Sequence, residues 1–195
     1  INNTFYGTGE SGNQVGIQVT DNAGPTLLNN IFSELGEGVN VDASSRNPTV
    51  IGTSALYNVG NDVVGDDQEF GLTLTQNPFV DPQNDNFYPT QGSLIIDSSL
   101  GSLQDRPALR VVTEAVSISE SPVLAPVSDI YGQLRADDPL EGRDPGFGSN
   151  AFKDRGAVER VEETGPEATL IGPQDGSERS PVGRADETDF VRIVG

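Results

Sequence analysis

An all-β fold of short strands stacked in successive coils is predicted by three observations. Residues 1–5 (INNTF) recur as residues 28–32 (LNNIF), with an offset of 27 residues, and a weaker copy follows at 50–58. Short segments with alternating apolar residues, 15–19 and 38–42, lie between these copies. Gly and Pro, with 23 and 13 copies, interrupt any pattern long enough for a helix. Self-similarity at this period indicates a solenoid.

The alternating segments and the corners between them predict how the coils stack. Val15, Ile17 and Val19 share one face of a strand, so they would lie over Val39 and Val41 of the next coil. The repeated Asn pairs suit sharp corners, because Asn tolerates left-handed backbone angles and forms hydrogen-bonded ladders. A single coil cannot cover its own apolar face, but stacked coils can. We expect a right-handed parallel β-helix, with a two-sheet sandwich as the alternative.

The later elements carry a resemblance to a known family. A strand-like run at 70–74 (FGLTL) is followed by a turn at 77–82 (NPFVDP) and a strand-like run at 92–97 (GSLIID). Two further elements follow at 129–135 (DIYGQLR) and 154–159 (DRGAVE). In this order they resemble the terminal segment of secreted bacterial right-handed β-helix repeat proteins of the pectin-lyase-like superfamily. The resemblance covers about residues 1–160 and implies architecture more than activity.

A closing segment at the end of the solenoid is implied by this resemblance. Its acidic and basic side chains would pair and lock the last coil, capping strand edges that otherwise invite aggregation. The chain departs from the family pattern in having Arg at position 155, where Ile is common, and in a longer insert between residues 97 and 129. The predicted closing-segment residues are Asp129, Arg135, Asp154, Arg155 and Glu159.

The chain divides into three predicted parts. Residues 1–160 are expected to form the C-terminal coils and closing segment of the β-helix. Residues 161–166 (VEETGP) are polar, end in Gly-Pro and predict a linker. Residues 167–195 contain the strand-like runs 168–171 and 190–194 and are expected to begin a further β-sandwich-like module. With neither an initiating Met nor a signal peptide, the chain is expected to be part of a longer protein.

The charge balance limits the possible partners. The 30 acidic and 11 basic side chains give a net charge of −19, which repels nucleic-acid phosphates and anionic lipid. The sequence has no apolar run that could span a membrane. Without Cys or His there is no disulfide, thiolate nucleophile or imidazole base. Together with the resemblance to secreted proteins, these features predict an extracellular or cell-surface location.

Calcium is the cofactor that the acidic loops favour, since it prefers carboxylate and carbonyl oxygens. The densest acidic cluster lies at 62–69, and residues 81–85 place oxygen ligands at alternate positions. Asn86 and Gly92 occupy the sixth and twelfth positions of that loop, which excludes an EF-hand. The alternative is that these carboxylates only keep the protein soluble. The candidate ligands are Asp62, Asp66, Asp67, Glu69, Asp81 and Asp85.

Two functions remain open. The first is a structural or adhesive scaffold segment of a large secreted or cell-surface protein, which presents a face to a polysaccharide or to another cell-surface protein. The second is the tail of a polysaccharide lyase or glycoside hydrolase with its active site upstream of residue 1. A lyase needs a basic side chain, and Arg46 is the one basic residue among the first 100. A hydrolase needs a carboxylate pair. The sequence favours the scaffold and assigns no catalytic residue.

Overall fold

The computed structural model describes residues 1–8, 14–45, 49–65, 68–69, 71–99, 126–141 and 153–161. These residues form an all-β structure whose only helical element is one 3-10 turn, Pro82–Asn84. The prediction of an all-β fold is confirmed for this part of the chain. The predicted linker beyond residue 161, the predicted module at 167–195 and Arg46 lie outside the described residues.

The strands are short, and each of the first ten belongs to a parallel sheet. One sheet has the order β1-β4-β7-β10, the second β2-β5-β8 and the third β3-β6-β9. Each strand therefore pairs with the strand three places along the chain, whereas β11 and β12 form an antiparallel hairpin. The strand bounds are β1 Thr4–Tyr6, β2 Val15–Val19, β3 Thr26–Leu28, β4 Ile31–Ser33, β5 Glu37–Val41, β6 Val50–Gly52, β7 Ala55–Tyr57, β8 Asn61–Val64, β9 Gln68–Glu69, β10 Leu72–Leu74, β11 Phe79–Asp81 and β12 Asn86–Pro89.

Equivalent positions of successive repeats lie directly above one another. Ile17 of β2 pairs with Val39 of β5, and Val19 pairs with Val41, which confirms the stacking predicted from the alternating pattern. The antiparallel pairing typical of a two-sheet sandwich is absent from these three sheets. The parallel register brings like side chains of neighbouring repeats together along each sheet.

Asparagine and threonine form the predicted ladder at one corner of the repeats. Asn2, Asn29 and Thr53 all have positive φ, at 55°, 54° and 51°. Asn29 donates from Nδ2 to Asn2 Oδ1 at 3.3 Å and accepts at Oδ1 from Thr53 Oγ1 at 2.7 Å. The ladder satisfies polar groups that are buried at the corner, and it fixes the left-handed turn in three successive repeats.

The four-stranded sheet is buried on both faces. Alternate residues of its strands, such as Phe5 and Phe32, point into a core that draws side chains from all three parallel sheets. Their rings stack with centroids 5.0 Å apart. The opposite face, which includes Ile31 and Ala55, packs against a second core. That second core contains Phe79, Phe87, Tyr88, Ile95, Ile96 and Val158, all from the chain after β10.

Candidate functional site

The closing segment lies on the outer face of the four-stranded sheet. Its described parts are residues 126–141 and 153–161. Hydrogen bonds tie the second part to three successive repeats: Asn2 Nδ2 donates to Asp154 O at 3.0 Å, Gly156 N donates to Asn29 O at 2.8 Å and Arg155 Nη1 donates to Ser54 O at 3.0 Å. The sequence analysis placed this segment at the end of the solenoid. The contacts instead run across the repeats, because the outer face of the sheet is apolar and needs cover.

Gly156 marks the closest approach of the closing segment to the sheet. Its φ is +88°, and a Cβ added there would lie 2.4 Å from Ile31 Cδ1 and 2.8 Å from Thr4 Oγ1. The neighbouring Ala157 N donates to Thr4 Oγ1 at 3.1 Å. A residue without a side chain is therefore required for two reasons, the left-handed backbone and the space available.

Arg135 and Glu159 form a buried ion pair inside the closing segment. The distance from Nη1 to Oε2 is 2.7 Å, and both side chains are almost completely buried. Arg135 also donates to the backbone oxygens of Asp154, at 3.2 Å, and Gly156, at 2.8 Å. Glu159 accepts in addition from Ala136 N at 3.0 Å and Asp154 N at 3.1 Å. The pair thus joins the two described parts of the segment and satisfies backbone groups on both.

The carboxylates of Asp129 and Asp154 accept hydrogen bonds from the backbone. Asp129 accepts from the backbone amides of Tyr131, Gln133 and Glu159, at 2.9, 2.8 and 3.1 Å. Asp154 accepts from the backbone amides of Asp97, at 2.9 Å, and Arg160, at 2.7 Å. Both side chains therefore hold turns of the closing segment in place.

Two further buried arginines reach out of the closing segment. Arg155 donates from Nε to Ser98 O at 2.9 Å, in addition to its bond to Ser54 O. Arg160 donates from Nη1 to Pro89 O at 2.9 Å and lies 5.6 Å from the centroid of the Tyr88 ring. An Ile at position 155 could satisfy neither carbonyl that Arg155 reaches, so Arg155 has a structural role here.

Hydrogen bonds join four of the predicted closing-segment residues in one network, Asp129, Arg135, Asp154 and Glu159, and the fifth, Arg155, fastens the same segment to the sheet. The network also includes three buried residues that were not predicted from the sequence. The added residues are Asp97, Asp138 and Arg160. Asp138 Oδ2 lies 3.5 Å from Arg160 Nε. No local pattern singles out these three, because charged residues are mostly exposed in proteins and their burial depends on distant segments.

Negative charge exceeds positive charge in this network. Five buried carboxyl groups, those of Asp97, Asp129, Asp138, Asp154 and Glu159, face three buried guanidinium groups. Burial raises the pKa of Asp97 and of Glu159, in each case to about 7, and raises the pKa of Asp154 well above its usual range. Glu159 has Arg135 and two amides to stabilise its ionised form. The ionised form of Asp97 would be stabilised much less, by the amide of Asp138 at 3.3 and 3.4 Å.

A cleft of about 240 Å³ opens beside the network, between residues 2–4 and the closing segment. Asp129 and Arg135 both line it. Asp129 directs its two carboxylate oxygens to hydrogen bonds within the closing segment, and Arg135 directs both terminal nitrogens to acceptors there. Both charged side chains therefore stabilise the closing segment through these hydrogen bonds.

The candidate calcium ligands are distributed over separate elements. Asp62 is exposed on β8, and Asp81 is exposed at the end of β11, where it accepts from Asn84 Nδ2 at 2.8 Å. Asp85 is exposed, with φ 61°, after the 3-10 turn. Asp66, Asp67 and the side chain of Glu69 lie outside the described residues. Among the side chains that are described, no three acidic groups are placed to hold a metal ion.

Calcium binding remains a prediction for the loop at 62–69. An ion bound only by the folded protein raises its stability by mass action, by about 2.7 kcal/mol at a hundred times the dissociation constant. The prediction is a higher melting temperature in Ca²⁺ than in a chelator, lost on replacing Asp66 and Asp67 with Asn. Asp21→Asn, at an exposed carboxylate that is not a candidate ligand, is the matched control. Equal melting temperatures with and without Ca²⁺ would exclude a structural ion.

Comparison with protein-family models, with curated proteins and with solved structures found no match to the chain. In the described part of the chain, no helix is long and apolar enough to cross a membrane. The geometry of the buried network and of the sheets beneath it is therefore the basis for a proposed function.

Proposed function

We propose that this chain is part of a right-handed parallel β-helix that acts as a structural scaffold in a large secreted or cell-surface protein. The support is the parallel pairing of each of the first ten strands with a strand three places away along the chain, in register across three sheets. Crossovers between parallel strands are right-handed in about 98% of cases. Repeats stacked in this way contact mainly their neighbours and build a long, stiff body.

The main support for the scaffold function is that the buried charged side chains form hydrogen bonds with backbone groups of other segments. Arg135, Arg155 and Arg160 all donate to backbone carbonyl oxygens of other segments. Asp129 and Asp154 accept from backbone amides. These arginines are buried and fasten one part of the chain to another. Their contacts support a structural role for this part of the chain.

An extracellular setting fits the same features. The net charge of −19 keeps a long stack of strands soluble. The absence of Cys makes the fold independent of the redox state of its compartment. In this proposal the polysaccharide or protein partner binds the exposed surface, and calcium binds the acidic loop at 62–69.

Native-state hydrogen exchange tests whether the closing segment and the sheets form one mechanical unit. At about pH 5 we expect the amides of Ala55, in the sheet, and of Gly156, in the closing segment, to exchange with the same free energy of opening. Both donate to backbone oxygens of the corner at residues 29–30, and a scaffold should open only by global unfolding. If the Gly156 amide exchanged through a local opening with a much lower free energy than that of Ala55, this role for the closing segment would be contradicted.

Incubation with acidic polysaccharides separates the scaffold from the enzyme alternative. The scaffold predicts that the protein, expressed together with any coils that precede residue 1, releases neither unsaturated uronate ends nor new reducing ends, whether or not it binds the polymer. Product release that grows in proportion to the protein concentration would contradict the scaffold and favour the alternative.

A further inference from the structure

Asp97 is the least satisfied carboxyl group of the buried network. Its side chain is fully buried, and its backbone has φ 49° in the turn that follows Ile96. The carboxyl oxygens accept from one donor, Asp138 N, at the long distances of 3.3 and 3.4 Å. An ionised carboxylate can accept about four hydrogen bonds. Charged Asp97 would therefore lose most of its solvation without replacement.

The charged groups around Asp97 make its ionisation still less favourable. Asp137 and Asp138 face it from residues 126–141, and Asp154 and Glu159 face it from residues 153–161. The strands of the four-stranded sheet below contain no charged residue. The nearby cations are engaged elsewhere: Arg135 with Glu159, Arg160 with Asp138 and Pro89, and Arg155 with Ser54 and Ser98.

We propose that Asp97 is a proton-operated latch for the closing segment. The docked segment holds Asp97 in its neutral, protonated form. Release of that proton as the pH rises past neutrality leaves an unpaired buried carboxylate among four others, and the resulting repulsion loosens residues 126–141 and 153–161 from the sheet. The inference rests on the geometry of the network and does not depend on the scaffold function.

The sign of the pH effect follows from linkage. Burial raises the pKa of Asp97 to about 7, whereas an Asp in an unfolded chain titrates near 3.9. The folded protein therefore binds this proton more tightly, so its stability is greatest at low pH and falls as the pH rises through about 7. Between about pH 5 and pH 8 this contribution changes the unfolding equilibrium about 100-fold.

The composition makes this pH range unusually informative. The chain has no His and no Cys, so ordinary side chains do not titrate between about pH 5.5 and pH 8. Burial also raises the pKa of Glu159 to about 7 and the pKa of Asp154 well above its usual range, so these two carboxyl groups add to the pH dependence. Both are present in every variant compared below, so the difference between variants reports the contribution of Asp97.

The test is the pH dependence of unfolding in Asp97→Asn. Asn has the shape of the neutral acid and tolerates positive φ. We expect the unfolding equilibrium constant to rise from pH 5 to pH 8 in the natural protein, and we expect that rise to be smaller in Asp97→Asn by a factor of about 100, which is the contribution of the missing carboxyl group. Asp81→Asn, at an exposed carboxylate, should keep the full change. An equal pH dependence in the natural protein and in Asp97→Asn would overturn the proposal.

Two measurements on the natural protein keep the test decisive if Asp97→Asn folds poorly. The ¹³C chemical shift of the Asp97 carboxyl carbon should titrate near neutrality, and a midpoint near 4 would overturn the proposal. Exchange protection of the Gly156 amide, corrected for its intrinsic pH dependence, should decrease above pH 7 relative to that of Ala55. Equal behaviour of the two amides at high pH would overturn the latch, whereas different behaviour already present at pH 5 would count against the scaffold.

Discussion

Replacement of Arg135 with alanine is expected to lower the free energy of unfolding by about 3–5 kcal/mol, since it leaves a buried ion unpaired. Glu159 would lose the Nη1 contact at 2.7 Å, which favours its ionised form. The carbonyl oxygens of Asp154 and Gly156 would each lose a donor. Because typical domains are stable by only about 5–15 kcal/mol, the loss is a large fraction of the total. Urea unfolding followed by circular dichroism measures it.

Two controls separate the ion pair from a general effect of removing a cation. Lys153→Ala removes a half-buried cation of the same segment that has no ion partner among the described residues, and we expect a change within about 0.5 kcal/mol. The double variant Arg135→Met with Glu159→Leu removes both charges and should recover part of the stability lost in Arg135→Ala. If Arg135→Ala and Lys153→Ala have the same stability, the network does not lock the closing segment.

Replacement of Gly156 with alanine is expected to lower the free energy of unfolding by about 2–5 kcal/mol. About 1–2 kcal/mol comes from placing a Cβ at positive φ, and about 1–3 kcal/mol comes from overpacking. The new methyl group would meet Ile31 Cδ1 at 2.4 Å and Thr4 Oγ1 at 2.8 Å, so the closing segment must move away from the sheet. Chemical denaturation gives the loss directly.

Gly132→Ala is the matched control for this substitution. Gly132 lies in the same closing segment with φ +81°, but a Cβ there would have no heavy atom within 4 Å. The control should therefore show the backbone cost alone, about 1–2 kcal/mol. The difference between the two variants reports the contact between Gly156 and the sheet. An equal loss in both would mean that this contact contributes nothing.

The parts of the fold that repeat locally could be predicted from the sequence. The alternation at 15–19 and 38–42 and the Asn corners at 2 and 29 are set by strand pleating and by left-handed turns, which depend on neighbouring residues. The burial of the four-stranded sheet on both faces was missed. Its signal is the pair Ile31-Phe32, two adjacent large apolar residues that point to opposite faces.

The buried network could be predicted only in part. Asp129, Arg135 and Glu159 were found because they lie in motifs of the resembling family. Asp97 was identified only as the end of the strand-like run at 92–97, and Arg160 was missed, because their burial depends on segments 41 to 71 residues away in the chain. Calcium binding at 81–85 stays a prediction from the spacing, and Asp81 there accepts a hydrogen bond from the side chain of Asn84 within a local turn.

The most direct test of this structure is a nuclear Overhauser measurement between Gly156 and Ile31. The account places the Gly156 α-protons against the Ile31 δ-methyl group, although 125 residues separate them in the chain. A strong cross-peak between those protons, kept in Gly132→Ala and lost in Gly156→Ala, is the predicted result. Absence of that cross-peak in the natural protein, with Gly156 at random-coil chemical shifts, would show that the closing segment does not pack on the sheet.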